Sequence, residues 1–196
     1  DYGRSYFEKP EMWTFANGIP MNRHYIEIHL RHFERFGITS AFGGKNLLYV
    51  GPGIGQFVTA FASWGWKITC VEISQWAATY LKNAYWGVDV HHTDFSDFRS
   101  AAQYDCVVAC HVLEHFRKAD EGLERMIALL APGGIVYIEV PIGTDLYVHD
   151  HWWHFDLAAI TCWFTHGGLN DVEIRQEYGK RNEVTSFHCK GRKPSA

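Results

Sequence analysis

Residues 47–72 read LLYVGPGIGQFVTAFASWGWKITCVE, and this stretch decides the fold. The apolar run from Leu47 to Val50 meets glycines at alternating positions, Gly51, Gly53 and Gly55. An amphipathic segment follows, and a second apolar run ends on Glu72. Short apolar runs bounded by glycine read as buried strands, and the segment between them reads as a helix. The order is therefore strand, glycine loop, helix, strand. Open α/β sheets bind ligands beyond the carboxyl ends of their strands, where an acid can take both hydroxyls of a ribose. Glu72 stands at such an end, so the stretch predicts a ligand that contains a nucleoside.

Absent residues narrow the choice. The dinucleotide fingerprint G-x-G-x-x-G needs a third glycine for close helix–strand packing. Counted from Gly51 that position is Gln56, and counted from Gly53 it is Val58. No Lys-Ser or Lys-Thr follows the glycines, so a phosphate-cradling loop is excluded as well.

The chain of 196 residues is long enough to bury a sizeable core as one domain. Apolar residues make up 47% and charged ones 20%, a balance that suits a folded protein. Aromatics reach 16% with eight Trp, so large rings must fill the core, line a pocket, or both. No apolar run approaches a membrane span, and no leader pattern opens the chain. The formal charge of −4 and the lack of a basic block disfavour nucleic acid as a partner. The basic residues Arg175, Lys180, Arg181, Lys190, Arg192 and Lys193 alternate with Glu173, Glu177 and Glu183, which reads as a solvated face. Five cysteines without C-x-x-C pairs argue against a disulfide framework, and a reducing, cytoplasmic compartment is expected. Cys106 and Cys110 read as small hydrophobes of a buried strand.

Residues 1–20 read as loop with a short helix, and Tyr25, Ile26, Ile28, Leu30, Phe33 and Phe36 recur at helical spacing over 22–36. Strands are predicted at 46–50, 67–72, 88–91, 104–109 and 135–140, with helices at 55–64, 75–86, 118–131 and 157–167. Two further strands, 170–177 and 183–190, are joined by a turn at Gly179–Asn182. Such alternation predicts a mostly parallel, seven-stranded α/β sheet with helices on both faces and a C-terminal antiparallel hairpin. Residues 1–45 form an N-terminal helical or lid segment and 46–196 the ligand-binding domain.

The G-x-G-x-G loop resembles motif I of the class I S-adenosylmethionine-dependent methyltransferases. Four later landmarks match that family in order: CVEIS at 70–74, HTDF at 92–95, YDCVVACHVLEHF at 104–116 and LAPGGIVYIEVP at 130–141. The resemblance covers roughly residues 46–190 and implies a Rossmann-like class I methyltransferase fold with S-adenosyl-L-methionine as cofactor. It assigns cofactor binding to Gly51, Pro52, Gly53 and Gly55, to Glu72 and Ile73, to Asp94 and Phe95, and to His111. Glu72 stands where the family's acid bonds the ribose, Asp94 where an acid accepts from the adenine amino group, and Phe95 beside the adenine face. One departure matters. The family usually has an acid two residues before the first glycine, and here that residue is Tyr49.

Methyl transfer from a sulfonium is an in-line displacement that rests on alignment, and an oxygen acceptor must also lose a proton. Histidine suits that task near neutral pH. The densest group of the twelve histidines is VHDHWWHFD at 148–156, which supplies His149, His151 and His154. His154 and His151 are the candidate base or acceptor-orienting residues, and Trp152 and Trp153 could wall an acceptor pocket. Trp76 and Trp86 read as helix packing residues, and Tyr6, Phe7 and Trp13 as parts of a lid. No metal is expected. The alternative is a set of His111, Glu114 and His115, spaced to share one side of a turn and completed by a histidine of the 149–154 loop. The resulting expectation is O- or N-methylation of a small-molecule acceptor, a sugar or other metabolite. Its rivals are an RNA methyltransferase, metal-assisted through that set, and a non-catalytic binding module, to which Tyr49 points.

Overall fold

The structure is a computed structural model that describes residues 3–7, 15–16, 19–20, 23–39, 45–142, 151–178 and 184–195. The chain divides into two compact units, Asp1–Arg99 and Ser100–Ala196.

The first unit carries helices α1 (Arg4–Phe7), α2 (Arg23–Arg35), α3 (Val58–Ser63) and α4 (Gln75–Ala84). Its strands are the short antiparallel pair β1 (Phe15–Ala16) and β2 (Ile19–Pro20), then β3 (Asn46–Val50), β4 (Lys67–Glu72) and β5 (Asp89–His92). β4 lies between β3 and β5 and is parallel to both, with Leu48 opposite Thr69 and Glu72 opposite His92. Leu47, Leu48, Tyr49 and Val50 are all buried, as an apolar run covered on both faces must be. Ser74 caps α4 by accepting the Ala77 N–H.

Aromatic rings hold this unit together. Tyr25, His29 and Phe33, one turn apart on α2, pack against Phe57, with centroid distances of 5.7, 4.8 and 5.2 Å. Phe33 also meets Phe61 at 5.0 Å. His29 does the work of an apolar residue in this stripe because its Nδ1 is paired with the Tyr25 carbonyl. Phe33 is fully buried, and its truncation to alanine costs about 3–5 kcal/mol.

Two boundaries differ from the sequence expectation here. α3 starts at Val58, not at 55, because 53–57 form successive turns in which Gly55 donates to Pro52 and Val58 to Gly55. α4 ends at Ala84, and Tyr85 already has extended backbone. Trp86 thus falls outside the helix and is fully exposed, which corrects its reading as a packing residue. Trp76 does pack, stacked on Phe7 at 5.6 Å.

The second unit comprises β6 (Tyr104–Cys110), a 3-10 turn (Leu113–His115), α5 (Ala119–Ala128), β7 (Leu130–Pro141), α6 (Leu157–His166), β8 (Asn170–Tyr178) and β9 (Val184–Arg192). β6 and β7 are parallel, β9 is antiparallel to β7, and β8 is antiparallel to β9, so the expected terminal hairpin is present. Its turn at 179–182 lies outside the described residues. Cys106 and Cys110 are buried in β6 as expected. The segment Ala131–Gly134 was expected to end a helix; α5 instead stops at Ala128, and the segment opens β7. Backbone pairing accounts for this: Gly133 N–H donates to Lys193 and Lys193 N–H to Gly134, at 3.1 and 2.9 Å. Among the described residues no helix is long and apolar enough to cross a membrane.

Candidate functional site

In the first unit a buried acid joins the end of β4 to the loop that follows β3. Glu72, almost wholly buried, accepts the Gly53 N–H on Oε2 at 2.9 Å and the Ser74 N–H on Oε1 at 2.8 Å. Burial pushes its pKa up, and the amides of Ser74, Gly53 and Ile73 with nearby His92 offset this only in part. A carboxylate oxygen accepts more than one hydrogen bond, so the two amides fix the group without exhausting it. Gly53 has φ of 56°, and a Cβ there would lie 3.1 Å from the Phe7 ring. Gly55, with φ of 80°, lets α4 close on the loop: a Cβ would stand 2.7 Å from both Leu81 Cδ2 and Tyr85 Cε2. Gly55 therefore meets the packing demand that the third glycine meets in a dinucleotide loop.

Ile73, directly after Glu72, is more than half exposed at 53% and offers an apolar surface beside the acid. His92 holds the turn by donating from Nε2 to the Ile73 carbonyl at 3.1 Å. Asp94 is exposed after β5 and accepts the Ser96 N–H on Oδ1 at 2.8 Å. Phe95 is buried and stacks on Phe98. Tyr49 is 2% exposed and turns into the aromatic core, edge-on to Phe61 at 5.8 Å. The residue in the place of the family's acid is a packing residue. These groups fit a nucleoside cofactor: a fixed buried acid, a loop that carries no side chain of its own at Gly51, Gly53 and Gly55, and an apolar neighbour open to the surface.

The second unit gathers charged and titratable groups after β6. His111 follows that strand with φ of 51°, a left-handed conformation that costs a non-glycine residue about 1 kcal/mol or more. Its N–H donates to the Glu139 carbonyl at 3.0 Å. Its ring lies between two buried carboxylates, Nε2 3.2 Å from Glu139 and Nδ1 3.4 Å from Glu114. Burial alone would lower its pKa, but the charge of Glu139 and the close approach of both carboxylates hold it well above the ordinary range.

Glu114 is wholly buried in the 3-10 turn, and its carbonyl accepts the Trp152 and Trp153 N–H groups at 2.8 and 3.3 Å. Trp153 adds a bond from Nε1 to the Phe116 carbonyl at 2.8 Å. These bonds tie residues 151–153 to the turn and bring the His151 ring to 4.8 Å from that of His115. Burial lowers the His151 pKa; Glu114 opposes this, and His115, His111 and His154 reinforce it. The structure thus draws His151 into a cluster with Glu114 and His115, whereas His154 is exposed. Trp152 is 62% exposed, with the Arg117 guanidinium 5.2 Å over its ring. His149 and Trp13 lie outside the described residues. Glu139 is not among the residues expected at the site, although an acid inside the run IVYIEVP signals a buried charge that requires a partner.

A family model described as a methyltransferase domain matches residues 21–173. The chain belongs to this family, the class I S-adenosyl-L-methionine-dependent methyltransferases, and has their Rossmann-like fold with a seven-stranded mixed sheet. It is 30% identical over 118 residues to a ubiquinone biosynthesis O-methyltransferase of Caulobacter vibrioides, covering 56% of this chain and 46% of that protein. A protein of the same description from a Bradyrhizobium strain is 24% identical over 147 residues, covering 72% of this chain and 55% of the relative. The chain thus spans about half the length of the curated relatives it matches. Among solved structures, the N-methyltransferase NodS of Bradyrhizobium japonicum in complex with S-adenosyl-L-homocysteine is similar with a TM-score of 0.69. Its identity is 20%, over 86% of this chain and 87% of that one.

Proposed function

We propose that the protein methylates an oxygen or nitrogen of a small-molecule acceptor, such as a sugar or other metabolite. The observation that carries this reading is Glu72, a buried acid at a strand end held by the amides of Gly53 and Ser74. Bound S-adenosyl-L-methionine supplies an electrophilic methyl group. Gly51, Pro52, Gly53 and Gly55 would let the cofactor approach the backbone, while Glu72 accepts from the ribose hydroxyls. Ile73 and Phe95 would flank the adenine, and Asp94 would accept from its amino group. His111 would contribute to cofactor binding from the end of β6.

On the acceptor side, His154 and His151 serve as base or orienting groups. His151 suits a base because burial keeps its ring neutral and its lone pair available. His154 suits one because it is exposed. Support for a small acceptor comes from the relatives, whose names describe an O-methyltransferase of ubiquinone biosynthesis and an N-methyltransferase. The negative net charge speaks against an RNA acceptor. α1 packs through Phe7 onto Ile54 and Ala77, which supports a lid role for the N-terminal segment.

The test is incubation of the protein with methyl-labelled cofactor and a lysate of the source organism. Label in small molecules supports the reading. Label in RNA alone, or cofactor binding without transfer, contradicts it.

A further inference from the structure

The best-defined polar cluster of the second unit contains a buried group that the protein leaves unsatisfied. Glu114 is 0% exposed, and neither of its carboxylate oxygens has a hydrogen-bond partner. His111 Nδ1 and His115 Nε2 stand at 3.4 and 3.9 Å from Oε1, ion-pair distances rather than hydrogen bonds. Leaving a buried carboxylate without hydrogen bonds costs several kcal/mol, so such a group calls for a further cation. His115 and His151 supply the matching donors. One nitrogen of each, with a Glu114 oxygen, forms a triad whose atoms all lie within 4.8 Å of one another.

We propose that Glu114, His115 and His151 hold a divalent cation of the borderline class, with Zn2+ or Co2+ as its type. Two imidazoles and one carboxylate are the donor set such ions prefer, whereas Mg2+ and Ca2+ favour all-oxygen sites. Bond lengths of about 2.0–2.1 Å around a tetrahedral ion place the ligand atoms about 3.3 Å apart. The triad reaches that spacing by contracting modestly, chiefly through the two imidazole rings. The frame is built in advance, because the Glu114 carbonyl accepts both Trp152 and Trp153 N–H groups and so fixes the loop of His151 against the turn of Glu114 and His115. His111 is not a ligand. Its ring nitrogens face Glu139 and Glu114, and it serves as an outer partner that orients the Glu114 carboxylate. Three protein ligands leave coordination positions open to water or to an oxygen of an acceptor, the pattern of reactive rather than purely structural sites. With His151 engaged, the task of acceptor base falls to His154. Metal binding here does not depend on methyl transfer, so the two readings fail separately.

The test uses the untagged chain, stripped with a chelator and titrated with Co2+ while its visible absorption is followed. One Co2+ per chain with ligand-field bands between about 500 and 650 nm is expected for an N/O site of low coordination number. His151→Ala and His115→Ala should each weaken binding at least about 10-fold, the lower bound for losing even an outer-shell partner. His154→Ala, and His166→Ala on the surface of α6, should bind like the parent. Circular dichroism is recorded for every variant to confirm folding, and the partly exposed His151 gives the deciding comparison. No saturable Co2+ binding, or affinity unchanged in folded His151→Ala and His115→Ala, overturns the proposal.

Discussion

The side chain of Glu72 accepts the backbone N–H of Gly53, 19 residues earlier, at 2.9 Å. That bond joins the carboxyl end of β4 to the loop after β3. A single residue therefore shapes the glycine loop and, in the proposed function, also supplies the acid for the cofactor ribose. The Ser74 amide on the other oxygen holds the carboxylate from the opposite side.

Gly55 and Gly87 share nearly the same backbone, with φ of 80° and 82°, but differ in their surroundings. A Cβ at Gly55 runs into Leu81 and Tyr85, whereas nothing lies within 4 Å of one at Gly87. Gly87→Ala should cost only the conformational strain, about 1 kcal/mol. Gly55→Ala should add an overpacking cost of about 1–3 kcal/mol. Chemical denaturation of the two variants checks the difference, and equal losses would contradict the packing role.

The raised pKa of Glu72 makes two properties depend on pH in opposite senses. Its folded value lies above its unfolded value, so folding opposes ionisation. This contribution to stability is greatest below the unfolded pKa and is lost as pH rises through the folded one. Cofactor affinity runs the other way, since an ionised carboxylate is the better acceptor for ribose hydroxyls. Affinity should fall on acidification at a pH above the ordinary glutamate range, and binding there should release a proton. Calorimetry in buffers of different ionisation enthalpy measures that release.

His111 should titrate well above an ordinary histidine because Glu139 and Glu114 flank it. Its stabilising contribution is complete below the unfolded pKa and is lost as pH rises through the elevated folded value. Glu139→Gln removes the larger of the charge interactions and should move the His111 ring titration, followed by NMR, down toward the ordinary range. A titration left unchanged would place the cause elsewhere.

His154→Ala should lower kcat for an oxygen acceptor by about 10²–10⁴-fold, the usual weight of a general base. Cofactor affinity should stay within about two-fold of the parent, because His154 is exposed and is not among the residues assigned to the cofactor. Single-turnover kinetics with the acceptor found by isotope labelling give the comparison.

The strand–loop–strand frame was legible because its signals are local. Leu47–Val50 is a short apolar run closed by glycine, the mark of a buried strand, and Glu72 ends the next. Tyr49 was visible as a departure, but its cause is tertiary: the ring belongs with Phe57 and Phe61, and no spacing rule reports where a tyrosine turns. The role of Gly55 is hidden for the same reason, since Leu81 of α4 and Tyr85 just beyond that helix approach it from some thirty residues away. The histidines of 148–156 stood out as a group, yet only the bonds from Trp152 and Trp153 to Glu114 separate His151 from His154. The start of β7 is not legible because Ala131–Gly134 looks like a helix stop, and its partner, Lys193, lies some sixty residues away.

The most direct test of the central claim is a calorimetric titration of the protein with S-adenosyl-L-methionine beside Glu72→Ala. The account predicts saturable 1:1 binding to the parent chain. It predicts at least about a 10-fold loss of affinity in the variant, since a hydrogen bond to a charged group contributes about 1.5–3 kcal/mol. Absence of binding by the parent at millimolar cofactor, or equal affinity in a folded Glu72→Ala, would contradict it.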